Sequence, residues 1–452
     1  MKTPHLALCA LSTLLLSSPA LAQRGPSRAA AAQAAAKKAA EAKKKAEEKP
    51  EPPPRWFAVH AGQVHTVTQG VLRDVTILSM NGRIHAIGRD LALPKGTEVL
   101  DAKDKRVYPG LIAYNSFGIV GGGNPEDSTD VFGLNLVIAL SQGITTVGAG
   151  NSIAKLTYGT LEGHVVGPRP TLLRLRLSGA ANKARLRADL DKVRDHQREL
   201  REHQLALKRG EKDHPAPKKL SGKLGAYLAM LQGSVWATAK ADSRRDLNEL
   251  VTFAETYGFR LLIEGGAEAW TMAPRLARVG CRVVINPRGR DNAREDSRSN
   301  RPSGWTIENA KILHQHGIPL TIVTQSGGIG LWGLAGNDLF TLSLEAGFAI
   351  RGGLPQSAAL EALTLQPARF MGVDDRLGSI EVGKDMDLVV LKGDLFRYTN
   401  LPEWTIVNGR IAYDKAKDTL LKHVRPRDLK QPEPPVILWP RRKDSAQPEK
   451  QD

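Results

Sequence analysis

A unit that recurs through the middle of the chain constrains its fold most: an amphipathic helical run, a glycine, then a short β-branched run. Gly143 precedes ITTVGAG, Gly258 precedes FRLLIEGG, Gly280 precedes CRVVINP and Gly317 precedes IPLTIVTQS. Glycine accepts the left-handed backbone that closes a helix, and the apolar run after it suits a strand covered on both faces. Such alternation implies parallel strands with crossover helices. Roughly 260 residues from Pro109 to Met371 follow it, the size of a (β/α)8 TIM-type barrel. The alternative, an open doubly wound sheet, would want a glycine-rich phosphate turn after an early strand, and the sequence has none.

Two β-rich segments flank this middle. Before it come the runs at 64–67, 75–78 and 83–87, the last entered through the Asn81-Gly82 turn. After it come 378–382, 387–391, 405–407 and 410–413, with a matching Asn408-Gly409 turn. Asn-Gly between apolar runs marks a tight hairpin. The expected class is therefore α/β: a barrel at 109–375 plus a small β-sandwich made from 55–108 and 376–415. A helical insert at about 182–212 interrupts the barrel pattern. Leu186, Leu190, Val193, Leu200 and Leu207 give it a stripe suited to covering the barrel's flank. Partner docking or a coiled coil is the alternative, with the stripe diluted by His196, Gln197 and Gln204.

The ends have another composition. Residues 1–22 carry Lys2, an apolar run from Leu6 to Leu16 and the small residues Ala20 and Ala22, the pattern of a cleaved export signal. The run is about half the 20 apolar residues a membrane anchor needs, so no transmembrane segment is expected after cleavage. An Ala/Lys/Pro-rich arm at 23–54 and a basic polar tail at 416–452 have little to bury. The expected location is the periplasm or the extracellular space. With Cys9 lost in the signal, Cys281 remains alone as a small buried hydrophobe. The formal charge of +17 sits largely in the arm, the segment 183–223 and the tail. No recognition module accompanies it, and nucleic acid is not an expected partner.

VYPGLIAYNSFG at the first barrel strand and ALTLQPARFMGVDDRLGSIEVGKDMDLVVL at the exit, together with NPEDSTDV at 124–131, resemble the amidohydrolase superfamily, in particular its imidazolonepropionase-like secreted members. The exit motif places Pro367, Ala368, Gly372, Gly378, Gly383, Asp385 and Asp387 at the family's offsets. The resemblance implies a metal-dependent hydrolase of carbon-nitrogen or ester bonds, in which one or two divalent ions activate water at the C-terminal mouth of the barrel.

On this resemblance the expected metal ligands are replaced. Asn115 and Phe117 stand where the family has two histidines, Thr238 and Gly265 where it has one each, and Gln325 where it has the aspartate that orients water. The bridging lysine has no clear equivalent around 164–168. Lys240, Glu264, Asn286, Arg288 and Ser326 remain as possible ligand contacts, and a Lys240–Glu264 pair could replace part of the lost charge. Set against that pair is Lys240 in solvent, with Glu264 capping the next helix. The acidic loop of Glu126, Asp127 and Asp130 reads as solvated or capping, and His164 as surface or core. The expected function is a non-catalytic, exported amidohydrolase-fold protein without cofactor or metal, binding an unknown small molecule or pairing with an intact amidohydrolase relative. Homo- and hetero-oligomers are both compatible with it. The alternative is an active amidohydrolase with a rearranged or metal-free site, zinc or another divalent metal being its cofactor. A purely structural envelope protein is the third reading.

Overall fold

The computed structural model describes residues 53–121, 124–211, 214–288, 294–296, 301–330 and 337–418. The export signal, almost all of the arm and nearly all of the basic tail lie outside them.

Strands Trp56–His65, Val71–Met80, Arg83–Gly88, Glu98–Pro109, Leu388–Leu391, Trp404–Val407 and Arg410–Asp414 form one seven-stranded sheet. Where a sandwich was expected, the hydrogen bonding gives a single mixed sheet. The reason is the 12-residue strand Glu98–Pro109. It pairs parallel with Trp56–His65 along most of its length and antiparallel with Leu388–Leu391 at its end, which joins the two sequence-distant segments edge to edge. Both Asn-Gly turns have positive φ at each residue, 51° and 85° at Asn81 and Gly82, 51° and 60° at Asn408 and Gly409. Phe57, Val59, Ile77, Val107, Leu388, Val390 and Ile406 make the apolar core of this sheet.

Between the two halves lies the helix–strand alternation. Leu172–Arg174, Trp236–Ala241, Leu261–Gly265, Arg282–Ile285 and Leu320–Ile322 form a five-stranded sheet, parallel throughout. Leu111–Ala113 pairs parallel with Ile144–Ala149 in a second sheet, which an antiparallel hairpin extends. Among the described residues the two sheets do not join into one hydrogen-bonded ring. Between them, Ser116–Phe117 pairs with Ile329–Gly330 and carries the first strand's edge toward the last. The helix Arg244–Tyr257 shows how one crossover is encoded. Ser243 caps its start by accepting from Asp246 N (3.2 Å), its apolar stripe buries Leu247, Leu250, Val251 and Ala254, and Gly258 ends it at φ 76°.

The insert is a 29-residue helix, Ala180–Lys208. Leu186, Leu190 and Val193 are buried in the main core, Arg187 lies over the Phe253 ring, and Tyr257 donates to Asp191 (2.8 Å). Its first half thus covers the flank of helix Arg244–Tyr257, while Leu205 and Leu207 near its end stay exposed. No helix among the described residues is long and apolar enough to cross a membrane. Cys281 is buried, and burial pushes its thiol up to about 12.

The exit motif acquires a physical role here. Lys155, fully buried on the hairpin strand Ser152–Lys155, donates to Asp385 (2.7 Å), Asp387 (3.1 Å) and Asn408 (2.6 Å). Arg376 adds a second cation on Asp385 (2.7 Å), and Asn408 N donates to Asp387 (2.8 Å). One ammonium therefore ties the central unit to both ends of the returning sheet segment. Burial raises the Asp387 carboxyl, whereas at Asp385 Lys155 and Arg376 outweigh burial and hold the carboxyl below its ordinary value.

Candidate functional site

The C-terminal ends of the parallel strands open into a cavity of about 880 Å³. Asn115 and Phe117 reach it just past Leu111–Ala113, Thr238 and Lys240 from Trp236–Ala241, Glu264 and Gly265 from the end of Leu261–Gly265. Asn286 follows Arg282–Ile285, and Gln325 and Ser326 follow Leu320–Ile322. Nine of the ten residues singled out from the sequence thus share one cavity: eight sit at or just beyond a strand's C-terminal end, and Thr238 lies mid-strand two residues before Lys240, on the same face. Arg288 is the exception. Its Nε bonds both carboxylate oxygens of the fully buried Glu345 (2.9 and 3.0 Å), so it serves that ion pair and lies outside the lining.

The polar groups are committed to one another. Asn115 donates to Gly327 O (3.1 Å) and accepts from Arg169 (3.2 Å). Asn286 donates to Val323 O (2.8 Å) and accepts from Arg288 N (3.0 Å), which uses both ends of its amide on backbone. Ser326 donates to Gly328 O (2.7 Å). Phe117 and Gln325 are exposed at the rim.

The Lys240–Glu264 pair does not form. Their backbones stand side by side in neighbouring strands, yet Glu264 accepts from Thr238 Oγ1 (3.1 Å) and from Arg174 Nη2 (3.2 Å), while Lys240 is exposed. Glu264 does not cap the next helix either. Glu268 accepts the Arg244 and Gly304 backbone N–H groups. Arg174 reaches Glu264 from two strands away, across Thr238, with which it is paired in register, and a single guanidinium nitrogen makes the contact.

Sequence reasoning missed Arg169 and Arg174. Arg169 lies with its guanidinium carbon 4.6 Å from the centre of the buried Tyr114 ring. A Cβ at Gly148 would fall 3.0 Å from that carbon and 2.3 Å from Tyr114 O, so glycine leaves the space Arg169 occupies. The available signal was the GPRP segment at 167–170, where prolines on both sides restrict the backbone of an arginine entering a strand. Burial raises the Tyr114 phenol, with Arg169 opposing it.

The donor set does not fit the divalent metal that the resemblance implies. A zinc site takes three or four imidazole, thiolate or carboxylate ligands, and among the described residues this lining carries no imidazole or thiolate. Its carboxylates among the described residues are Asp242 and Glu264, the second already paired with Arg174. Arg169, Arg174 and Lys240 line the same space and oppose a cation there. At Gly265 the backbone has φ 105°, and a Cβ would meet Asp242 Oδ1 at 2.3 Å, so a larger residue cannot enter without displacing it. The remaining candidates lie elsewhere. His164 is fully buried between Thr157 (3.3 Å) and Thr129 (3.1 Å), and burial lowers its pKa. In the acidic loop Asp127 accepts from Asn124 (2.8 Å), and Asp130 accepts from Phe132 N (2.9 Å).

Residues 202–419 match the model of the amidohydrolase family. Among solved structures, an amidohydrolase from Thermotoga maritima MSB8 is 21% identical, covers 79% of this chain and 100% of its own, and superposes with a TM-score of 0.59. That likeness shows the fold, a TIM barrel of mixed α and β content. Amidohydrolase tasK of Hapsidospora irregularis is 37% identical over 71 residues, 16% of this chain and 7% of that protein's length.

Proposed function

We infer the function from the premise that this chain belongs to the amidohydrolase superfamily. The cavity at the strand ends works as a binding site for a small polar ligand with a negative group, and not as a metal-assisted hydrolytic centre. One observation carries this reading: among the described residues the lining has three cations, Arg169, Arg174 and Lys240, against two carboxylates, and with Arg174 and Glu264 paired the excess is one positive charge. An anionic group entering there gains charge-assisted hydrogen bonds, whereas a divalent cation meets repulsion and too few donors. In this reading no cofactor or metal is required. The chain is an exported envelope protein, a proposal supported by the composition of residues 1–22, and an intact amidohydrolase relative is a partner to test beside small molecules.

Metal analysis of the purified, dialysed protein tests the reading. Zinc, manganese and iron are expected well below one equivalent. One equivalent or more, removable only by strong chelation, would overturn it and restore the hydrolase with a rearranged site.

A further inference from the structure

A second polar cavity, about 360 Å³, lies where the sheet meets the loop 157–163, and it shares no residue with the cavity at the strand ends. Arg55, Arg83, Arg376 and Arg410 line it. Arg55 donates to the backbone oxygens of Gly409 (2.6 Å) and Asn408 (2.8 Å), so its charge is held by dipoles. Arg410 bonds Glu162 (2.6 Å), whose side chain is 72% exposed. Asp385 is shared among Lys155 (2.7 Å), Arg376 (2.7 Å) and Arg83 (3.7 Å). With Lys155 and its other partner Asp387 included, the described residues of the lining and its ion pairs set five cations against three carboxylates, an excess of two positive charges. Two further facts mark the cluster as electrostatically unsatisfied. The buried Arg376 Nε has no hydrogen-bond partner. Burial and the neighbouring charge of Arg410 push the Arg55 guanidinium down, outweighing the opposing carboxylates of Glu162 and Glu98. Guanidinium forks match the paired oxygens of phosphate and related groups, and a doubly charged oxyanion would balance the excess.

We propose that this junction cavity binds a dianionic oxyanion of the phosphate type, held by Arg55, Arg83, Arg376 and Arg410. It arrives either as the free ion or as a phosphomonoester. Two of the four sit on hairpins of the sheet, Arg83 beside Asn81-Gly82 and Arg410 beside Asn408-Gly409, so binding would brace the two turns against the central unit.

Thermal unfolding of the full mature chain tests this, with inorganic phosphate or glycerol phosphate titrated at an ionic strength held constant with chloride. A rise in Tm that continues with the logarithm of ligand concentration above Kd is expected, since a ligand that binds only the folded state stabilises it by RT ln(1 + L/Kd) at free ligand concentration L. Arg83→Gln and Arg410→Gln, both at partly exposed positions, should each weaken apparent affinity about tenfold. Equal affinity for the two probes identifies the free oxyanion, and tighter glycerol phosphate identifies the ester. Arg245→Gln, at an exposed helix position outside both cavities, should leave the response intact. A phosphate effect no larger than that of chloride overturns the proposal. So does a response that survives both groove variants, or one lost only in Arg245→Gln. Metal analysis of the other cavity leaves this result untouched, so the two readings fail separately.

Discussion

At the strand-end cavity the charges stand within reach of water: the Arg174 side chain is 65% exposed, Glu264 27%, and Lys240 pairs with neither. At the junction Lys155 is fully buried, with Asp385 and Asp387 at 3% and 6%. The same residue types thus perform different work. Buried charges must be paired and saturated with hydrogen bonds, and a lone one there is costly, so the junction cluster holds the two halves of the fold in one arrangement. The cavity charges are under no such compulsion and remain free to exchange water for a ligand. The exit motif, which carries the family resemblance, therefore belongs to the architecture of this chain, while the mouth draws its charges from other elements.

The largest expected effect removes the central cation of the junction. Lys155→Met leaves two carboxylates buried around an apolar chain and should cost about 3–5 kcal/mol in denaturant unfolding. A loss near zero would show that Arg376 alone suffices, and would erase the contrast with the cavity. Next in size is Gly265→His. It forces a Cβ and an imidazole into φ 105° and against Asp242, for a loss of about 1–3 kcal/mol, with no metal retained after dialysis. A stable variant binding one equivalent of zinc would make the cavity a latent metal site.

Acid sharpens the comparison by its sign. Asp385 is held below its ordinary value of 3.8, so its ionised form stabilises the fold above that pH and the contribution is lost as pH falls through the lower, folded value. Asp385→Asn should therefore flatten the loss of stability below about pH 4. Asp387, raised by burial, contributes a slope of the opposite sign, and the subtraction of variant from wild type isolates Asp385. An unchanged acid limb would remove Asp385 as its source. The smallest effect belongs to the cavity. A double-mutant cycle of Arg174→Met with Glu264→Gln should give a coupling under about 1 kcal/mol, as exposed pairs do. The parallel cycle of Lys240→Met with Glu264→Gln should give none. A coupling of several kcal/mol in either would mean that the mouth is drier and more structural than its exposure indicates.

The order of elements, the two Asn-Gly hairpins and the positions brought to the strand ends were legible in the chain. Each follows from a local rule: glycine after a helical stripe, a two-residue turn, the last residues of a parallel strand. That is why Asn115, Thr238, Glu264 and Gln325 could be named together before their distances were known. Neighbours across the fold were beyond such rules. Whether Glu264 meets Lys240 or Arg174 depends on the register of adjacent strands and the reach of each side chain. The space for Arg169 depends on Gly148, 21 positions earlier. Lys155 and Asp385 are 230 residues apart. Periodicity along the sequence carries information about one face of one element, so it specified which residues would line the mouth. Packing brought distant charges together and chose their partners, and only the tertiary structure could decide that, because the free energy of a buried ion depends on everything around it.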